Sequence, residues 1–213
     1  MRVHVGKKNV RSGSHGIDVR ALEADLREKV RGEVRFDEGY RAIYSTDSSN
    51  YRLAPLGVVV VRDAEDVVAA LDVCRHHQVP VTPRGCGTSL AGQGTNATLV
   101  VDVSRYMREV FEVDPEKKIA RVQPGVIRDH LAKPLEAEHG LSFPPDTSTH
   151  AYATFGGMIG NNSCGVHALM GGKTVDNVHE LEVMLYDGTR MTVGPTSARA
   201  TLKPFSGSSS SRL

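Results

Sequence analysis

The feature that most constrains the fold is a strand–helix–strand pattern between residues 57 and 83. The run Gly57–Val61 is short, β-branched and free of polar side chains, which is typical of a strand buried on both faces. Asp63 can cap a helix over residues 64–77, whose apolar side chains share one face. A second short strand follows at 79–83. The segment therefore predicts a βαβ unit with a right-handed crossover to a parallel neighbour.

Further strand patterns follow this unit. Residues 99–103 predict another buried strand, and the alternating segments 109–114 and 118–123 predict a hairpin. Near the C-terminal end, segments 179–186 and 189–193 are joined by Asp-Gly, a strong signal for a second hairpin turn. The pattern as a whole predicts an α+β fold.

Helices and boundaries are less regular. Residues 17–31 place apolar side chains at helical spacing, whereas the Tyr- and Ser-rich stretch 39–53 has no clear period. A helix over 126–139 contains Pro134, which should kink or split it because proline lacks the N–H and clashes with the preceding turn. The sequence divides into a disordered lead (1–16), an N-terminal helical segment (17–53), a main domain (54–196) and a flexible Ser-rich tail (197–213).

Composition excludes several classes of function. The 213 residues include 26 basic and 25 acidic side chains, so a net charge of +1 argues against a nucleic-acid-binding protein. No run approaches the roughly 18 apolar residues of a transmembrane helix, and no secretory signal is present. A transit peptide remains the alternative to a disordered lead. The three widely spaced cysteines suit a reducing compartment, so we expect a cytoplasmic protein, and without a CxxC pair they build no metal–sulfur cluster alone.

The first candidate binding segment directly follows the second strand. Two glycines in three residues permit positive φ, and successive N–H groups in such a turn form a concave anion site. A phosphate or pyrophosphate fits this pattern, but the spacing matches neither a P-loop nor the Rossmann fingerprint, whose third glycine would fall at Leu90. A tight strand-to-loop turn is the alternative. The candidate binding residues are Pro83, Arg84, Gly85, Cys86, Gly87, Thr88 and Ser89.

A second candidate region lies about 70 residues further on, over 143–149 and 154–165. Paired glycines followed by small polar residues can lie against a flat ring and offer hydrogen bonds. A simple helix start at Gly156–Gly157 is the alternative. Two such regions in one domain favour a long ligand with a charged centre. The candidate binding residues are Pro145, Asp146, Thr147, Ser148, Gly156, Gly157, Gly160, Asn161, Asn162 and Ser163.

These motifs together carry a resemblance. PRGCGTSLAGQ, FPPDTST and GGMIGNNSCG, followed by KTVDNVHELEVMLYDGTRM, resemble the FAD-binding domain of the p-cresol methylhydroxylase and vanillyl-alcohol oxidase (PCMH) type. Within that superfamily the chain is most similar to the D-lactate dehydrogenase and glycolate oxidase branch, above all to large bacterial proteins that join this domain to an iron–sulfur half. The resemblance covers residues 40–196. It implies a small parallel βαβ subdomain plus the beginning of a second, mixed or antiparallel subdomain, truncated here.

The resemblance also implies where FAD binds. Pro83–Ser89 would wrap the pyrophosphate, Pro145–Ser148 would approach the flavin and ribityl region, and Gly156–Ser163 would complete the cradle. Val178, at the start of the following strand, would lie near the adenine. Covalent members carry a histidine where this chain has Thr88, so non-covalent FAD is expected. Where the usual motif has a glycine this chain has a cysteine at position 86, which requires either negative φ or strain.

The activity implied is oxidation of a 2-hydroxy acid of the D-lactate, glycolate or D-2-hydroxy acid type. Electrons would pass to another centre, such as an iron–sulfur half or subunit, and such a partner could hold the chain at the inner membrane. The family's second half-domain and substrate cap do not follow residue 196, so no catalytic residue is named and an N-terminal fragment is expected. The alternatives are an incomplete FAD-binding fragment that needs a partner chain, and a general phosphate-binding protein.

No metal site is predicted. The pair His76–His77 lies at a helix end, where imidazolium favours the helix dipole. His150 and His167 flank the second region without a partner at metal-ligand spacing.

Overall fold

A four-stranded sheet forms the N-terminal half of the computed structural model, which describes residues 16–194. Its strands are β1 (Glu33–Arg35), β2 (Gly57–Val60), β3 (Val81–Arg84) and β4 (Leu99–Asp102). Their spatial order is β1-β2-β4-β3, with β1 antiparallel to β2 and the other pairs parallel. The predicted boundaries 1–16 and 197–213 fall almost entirely outside the described residues.

The helices lie around this sheet and beyond it. They are α1 (Val19–Lys29), α2 (Glu38–Ile43), α3 (Ala64–His76), α4 (Arg128–His139), α5 (Phe155–Asn161) and α6 (Ala168–Gly171), followed by a 3-10 turn at Thr174–Asn177. Two separate hairpins complete the described chain. Their strands are β5 (Val110–Asp114), β6 (Ile119–Val122), β7 (Leu181–Met184) and β8 (Arg190–Val193). Among the helices of residues 16–194, none has the length and hydropathy of a membrane-spanning segment.

The βαβ unit is confirmed in its elements, but β3 is not the neighbour of β2. β4 lies between them, and Val100 pairs with both Val58 and Thr82. β2 and β4 are buried along their whole length, which suits the centre of the sheet. β3 contains Pro83, which lacks a ladder donor, and it takes the edge.

The core consists of α1 and α3 packed on one face of the sheet. Leu22 and Leu26 of α1 are fully buried against the α3 face that carries Val73 and Cys74. On the opposite face, Val58, Val60 and Val100 form a smaller cluster with the ring of Tyr44. A third cluster joins α4 to α5, where the rings of Phe143 and Phe155 lie 4.9 Å apart. This last cluster packs the second candidate region against α4 and β6.

Several sequence expectations are corrected. The segment 17–53 is not purely helical, because it contributes β1 to the sheet and also holds α2, which begins after the cap Asp37. The helix was expected to kink or split at Pro134; it does not split, since α4 is continuous from Arg128 to His139. β7 begins at Leu181 rather than at residue 179, although the predicted hairpin turn is confirmed, with the Gly188 N–H donating to the Leu185 carbonyl at 2.9 Å.

Candidate functional site

The first glycine-rich segment leaves β3 as an open turn. Gly87 has φ +72°, a conformation that favours glycine, whereas Cys86 keeps a negative φ and so avoids the strain that its replacement of a glycine could have caused. Within residues 16–194, the backbone N–H groups of the five residues 85–89 donate no hydrogen bond. Consecutive free donors of this kind can bind an anion, and the predicted phosphate contact of this turn stays a prediction.

A short N-terminal segment holds this turn in place. The Ser48 N–H donates to the carbonyl of Gly87 at 3.0 Å. The Asp47 carboxylate accepts the N–H of Gly94 at 3.1 Å and that of Ser49 at 2.9 Å. Burial acts to raise the pKa of Asp47, but the hydrogen bonds from Ser49 and Gly94 outweigh it and lower that pKa. Sequence reasoning missed this contact, although the run of turn formers over 46–50 was a signal that this segment folds back.

Arg84 lies inside the turn. Its guanidinium donates to the carbonyl of Gly94 at 2.8 Å and to that of Thr46 at 2.9 Å. The guanidinium carbon lies 5.5 Å from the ring centroid of Tyr44. Burial beside Asp102 raises the pKa of Tyr44, so its hydroxyl stays protonated and donates to that carboxylate. These contacts give Arg84 a role in shaping the turn, and its contact with a phosphate stays a prediction.

The two glycine-rich segments meet directly. A Cβ on Gly85 would lie 2.2 Å from Oγ1 of Thr154, so only glycine allows this approach. Thr154 caps α5 by accepting the N–H of Gly157 at 3.3 Å. Near the other end of α5, Nδ2 of Asn161 donates to Oγ of Ser89 at 3.3 Å. The structure therefore brings together segments that lie about 70 residues apart in sequence.

The second glycine-rich segment begins helix α5, which is the alternative that the sequence analysis gave to a ligand-binding loop. The Gly156 N–H donates to the carbonyl of Pro124 at 2.8 Å, and the Gly157 N–H is taken by the cap Thr154. The N–H groups of both glycines are therefore used within the fold, although the sequence analysis expected them to be available to a ligand. The exposed side of α5, called the wall below, borders the first glycine-rich segment instead. Of the three glycines in α5, Gly160 is the one where an added Cβ would meet nothing within 4 Å.

The end of this wall is tied to the 3-10 turn. Asn162 adopts φ +46°, and its side-chain oxygen accepts the N–H of Val175 at 3.0 Å. The carbonyl of Ser163 accepts the N–H of Thr174 at 2.9 Å. Val178 follows the 3-10 turn as a partly buried residue ahead of β7, so it does not open the strand as predicted. None of the contacts described here joins Val178 to the first segment.

Residues 145–148 include a buried hydroxyl group that forms no hydrogen bond within the described residues. Pro145 and Thr147 are buried and Ser148 is exposed. Among the described residues, the buried Oγ1 of Thr147 has no hydrogen-bond partner. A buried hydroxyl without a partner is unfavourable, which makes this oxygen a candidate contact for a bound ligand.

Asp146 joins this segment to the second glycine-rich region. Its carboxylate bonds to Nδ1 of His167 and accepts the His167 N–H at 3.3 Å. The hydrogen bond from the ring lowers the pKa of Asp146. A Cβ on Gly165 would lie 2.1 Å from the Asp146 carbonyl oxygen, so the two segments are in close contact. The second glycine-rich region thus contacts both of the other predicted motifs.

Comparison with known proteins places this chain in a family. The model of the FAD binding domain family matches residues 55–194. A D-2-hydroxyglutarate dehydrogenase of Pseudomonas putida is 39% identical over 173 residues, covering 80% of this chain and 17% of that protein. The glycolate oxidase subunit GlcD of Bacillus subtilis is 37% identical over 186 residues, covering 84% of this chain and 39% of that one. The chain thus spans well under half the length of these relatives.

The fold agrees with that placement. A crystal structure of p-cresol methylhydroxylase with substrate bound superposes with a TM-score of 0.68 at 19% identity, over 84% of this chain and 36% of that one. At this identity the likeness shows the fold alone, and it is the α+β fold that the motifs imply. From the family match over residues 55–194, the chain belongs to the FAD binding domain family and has the PCMH-type fold.

Proposed function

We propose that this chain holds FAD non-covalently against its three motifs. We further propose that it serves as the flavin-binding part of an oxidoreductase acting on a 2-hydroxy acid. The observation that carries the proposal is the row of free backbone donors at residues 85–89, directly beside the wall formed by α5. The central pyrophosphate of FAD is a dianion, and consecutive N–H groups bind such groups without a metal ion.

The residues present fit the cofactor in three places. The turn at 85–89 would hold the pyrophosphate. The hydroxyl of Thr147, which has no partner among the described residues, would donate to a polar group of the cofactor. The open surface over Gly160 would contact the cofactor by van der Waals packing. When bound, FAD supplies the acceptor for the hydride, while the protein supplies position and electrostatics.

Non-covalent attachment is supported by the side chains at the turn. Thr88 stands where the resemblance places a linking histidine, and a threonine hydroxyl is a weak nucleophile at its ordinary pKa. Desolvation of the sulfur raises the pKa of the Cys86 thiol, which disfavours the reactive thiolate. Flavin bound to the chain should therefore be released completely by denaturation.

The substrate class rests on the relatives' names. D-2-hydroxyglutarate and glycolate are both 2-hydroxy acids, and the proteins named for them match this chain at 37–39% identity. The match to a glycolate oxidase subunit supports an electron-accepting partner, which we propose to be an iron–sulfur half or subunit. We assign no catalytic residue to residues 16–194.

A second candidate is that the chain binds FAD only together with a further polypeptide segment. Large apolar side chains around α6 lie open to solvent: Val166, Leu169 and Met170. Within the described residues, β5–β6 and β7–β8 each lack a third strand, and isolated hairpins are marginally stable. A partner chain or a C-terminal half could cover these surfaces.

The test is a titration of the purified chain with FAD, FMN and ADP, followed by visible absorbance and by thermal melting. Preferential binding of FAD, with all flavin released on denaturation, supports the first candidate. Binding only after a relative's C-terminal half is added in trans supports the second. Equal retention of all three ligands, or of none even with the added half, contradicts both.

A further inference from the structure

Three side chains of metal-ligating type converge away from the glycine-rich segments, where the C-terminal end of α3 meets α1. His76 is the last residue of α3, His77 is its C-cap, and Asp25 lies in α1. One ligand atom from each side chain lies within 4.8 Å of the other two. Nε2 of His77 lies 2.7 Å from Oδ2 of Asp25.

The hydrophobic core fixes this convergence. Leu22 and Leu26 of α1 are fully buried against α3, and Asp25 stands next to Leu26 at the margin of that contact. At the other side, α3 ends at the histidine pair because Gln78 turns into the left-handed region at φ +55°. The backbone positions of all three side chains are thus set by apolar packing rather than by their own contacts.

Simpler roles explain the histidines singly but not their convergence. A histidine at a helix C-terminus suits the helix dipole, and the His77 ring hydrogen-bonds to the Asp25 carboxylate. The exposed ring of His76 packs against that of His77, edge to face with centroids 5.1 Å apart. It therefore remains free to turn toward a ligand.

We propose that Asp25, His76 and His77 bind a divalent transition-metal ion of the class that prefers imidazole, such as Zn²⁺ or Ni²⁺. Two imidazoles and one carboxylate, with a fourth position left for water, match the donor set of three-ligand zinc sites. Tetrahedral bonds of about 2.0–2.1 Å need ligand atoms about 3.3 Å apart. To hold an ion, Nε2 of His77 and Oδ2 of Asp25 would move apart from 2.7 Å, and the exposed His76 ring would approach both atoms.

The charge at the site suits a cation. The Asp25 side chain is partly exposed, and an aspartate in such a position is ionised at neutral pH. Lys29, one turn further along α1, is a cation that also acts on this carboxylate. A bound ion would link α1 to α3, and this is independent of whether the chain binds FAD.

The proposal is tested by isothermal titration of the EDTA-treated full chain with Zn²⁺ and with Ni²⁺ at pH 7.5, without flavin. His76→Ala removes one exposed ligand, and Asp25→Asn removes the charge while keeping the shape. The matched control is His179→Ala, which removes an exposed histidine outside the cluster. Thermal melting in EDTA shows that each variant is folded.

We expect one ion per chain, a rise in Tm that EDTA reverses, and a Kd at least about tenfold weaker in both cluster variants. The control should bind as the original chain does. Absence of saturable binding overturns the proposal. Binding that survives both cluster substitutions, or that is lost equally in the control, also overturns it.

Discussion

Gly85→Ala should separate the two glycine-rich segments. The new Cβ would lie 2.2 Å from Oγ1 of Thr154, about 1 Å inside an ordinary contact. Thr154 is 2% exposed and cannot move outward, so its side chain must rotate or the turn must shift. Rotation would remove the hydrogen bond that caps α5 at Gly157.

The size of the effect follows from two contributions. Loss of a threonine cap costs about 1 kcal/mol, and overpacking of a buried contact costs about 1–3 kcal/mol. We expect the free energy of unfolding to fall by about 2–4 kcal/mol in total. For a chain of this length, that corresponds to a fall in Tm of about 4–16 °C.

The assay is a double-mutant cycle with Thr154→Ala, followed by thermal and urea unfolding. If the clash is the cause, Gly85→Ala should cost at least about 1 kcal/mol less when Oγ1 of Thr154 is already absent. Equal costs in the two backgrounds would refute the reasoning, as would a Gly85→Ala variant as stable as the original chain. FAD affinity should fall with Gly85→Ala, because the same shift disturbs the donors at 85–89.

Three further predictions address the site and its support. Gly160→Ala should stabilise the flavin-free chain by about 0.5–1 kcal/mol, because alanine favours the helical conformation more than glycine does. The same substitution should weaken FAD binding. An unchanged Kd for FAD would mean that the cofactor binds elsewhere. Thr147→Val should leave the free chain as stable or raise its stability by about 1 kcal/mol, yet weaken FAD binding about fivefold, which fluorescence titration can check. Burial raises the pKa of Asp129, but hydrogen bonds from His150 and Lys133 among others outweigh it and lower that pKa to about 2. Because this folded-state pKa lies below the ordinary 3.8, the carboxylate stabilises the fold above about pH 4 and loses about 2 kcal/mol of that effect as pH falls toward 2. Urea unfolding of Asp129→Asn should lack this pH dependence, and a slope equal to that of the original chain would count against the account.

The strands that the sequence predicts well are those with a strong local pattern. The valine run at 57–61 and the Asp-Gly turn at 187–188 carry their signals within a few residues. The order of the strands in the sheet has no such local signal, because contacts between distant segments decide that β4 lies between β2 and β3. β1 and α2 are too short, at three and six residues, to show a period.

The candidate site divides in the same way. The open turn at 85–89 is predictable because glycine spacing reports on backbone conformation. Which backbone donors stay free is not predictable, since α5 uses those of Gly156 and Gly157 internally. The support from Asp47 and Ser48 depends on a chain reversal about 40 residues before the turn. For the same reason, Asp25 could not be matched to the histidine pair from sequence.

The central claim is that the backbone donors at residues 85–89 bind the pyrophosphate of FAD. ¹H–¹⁵N correlation spectra of the full chain, recorded during titration with FAD and with riboflavin, test it most directly. The account predicts that the amide signals of Cys86–Ser89 shift with FAD and stay in place with riboflavin, which lacks the pyrophosphate. Saturating FAD that leaves these amides unmoved, or equal shifts with riboflavin, would contradict it.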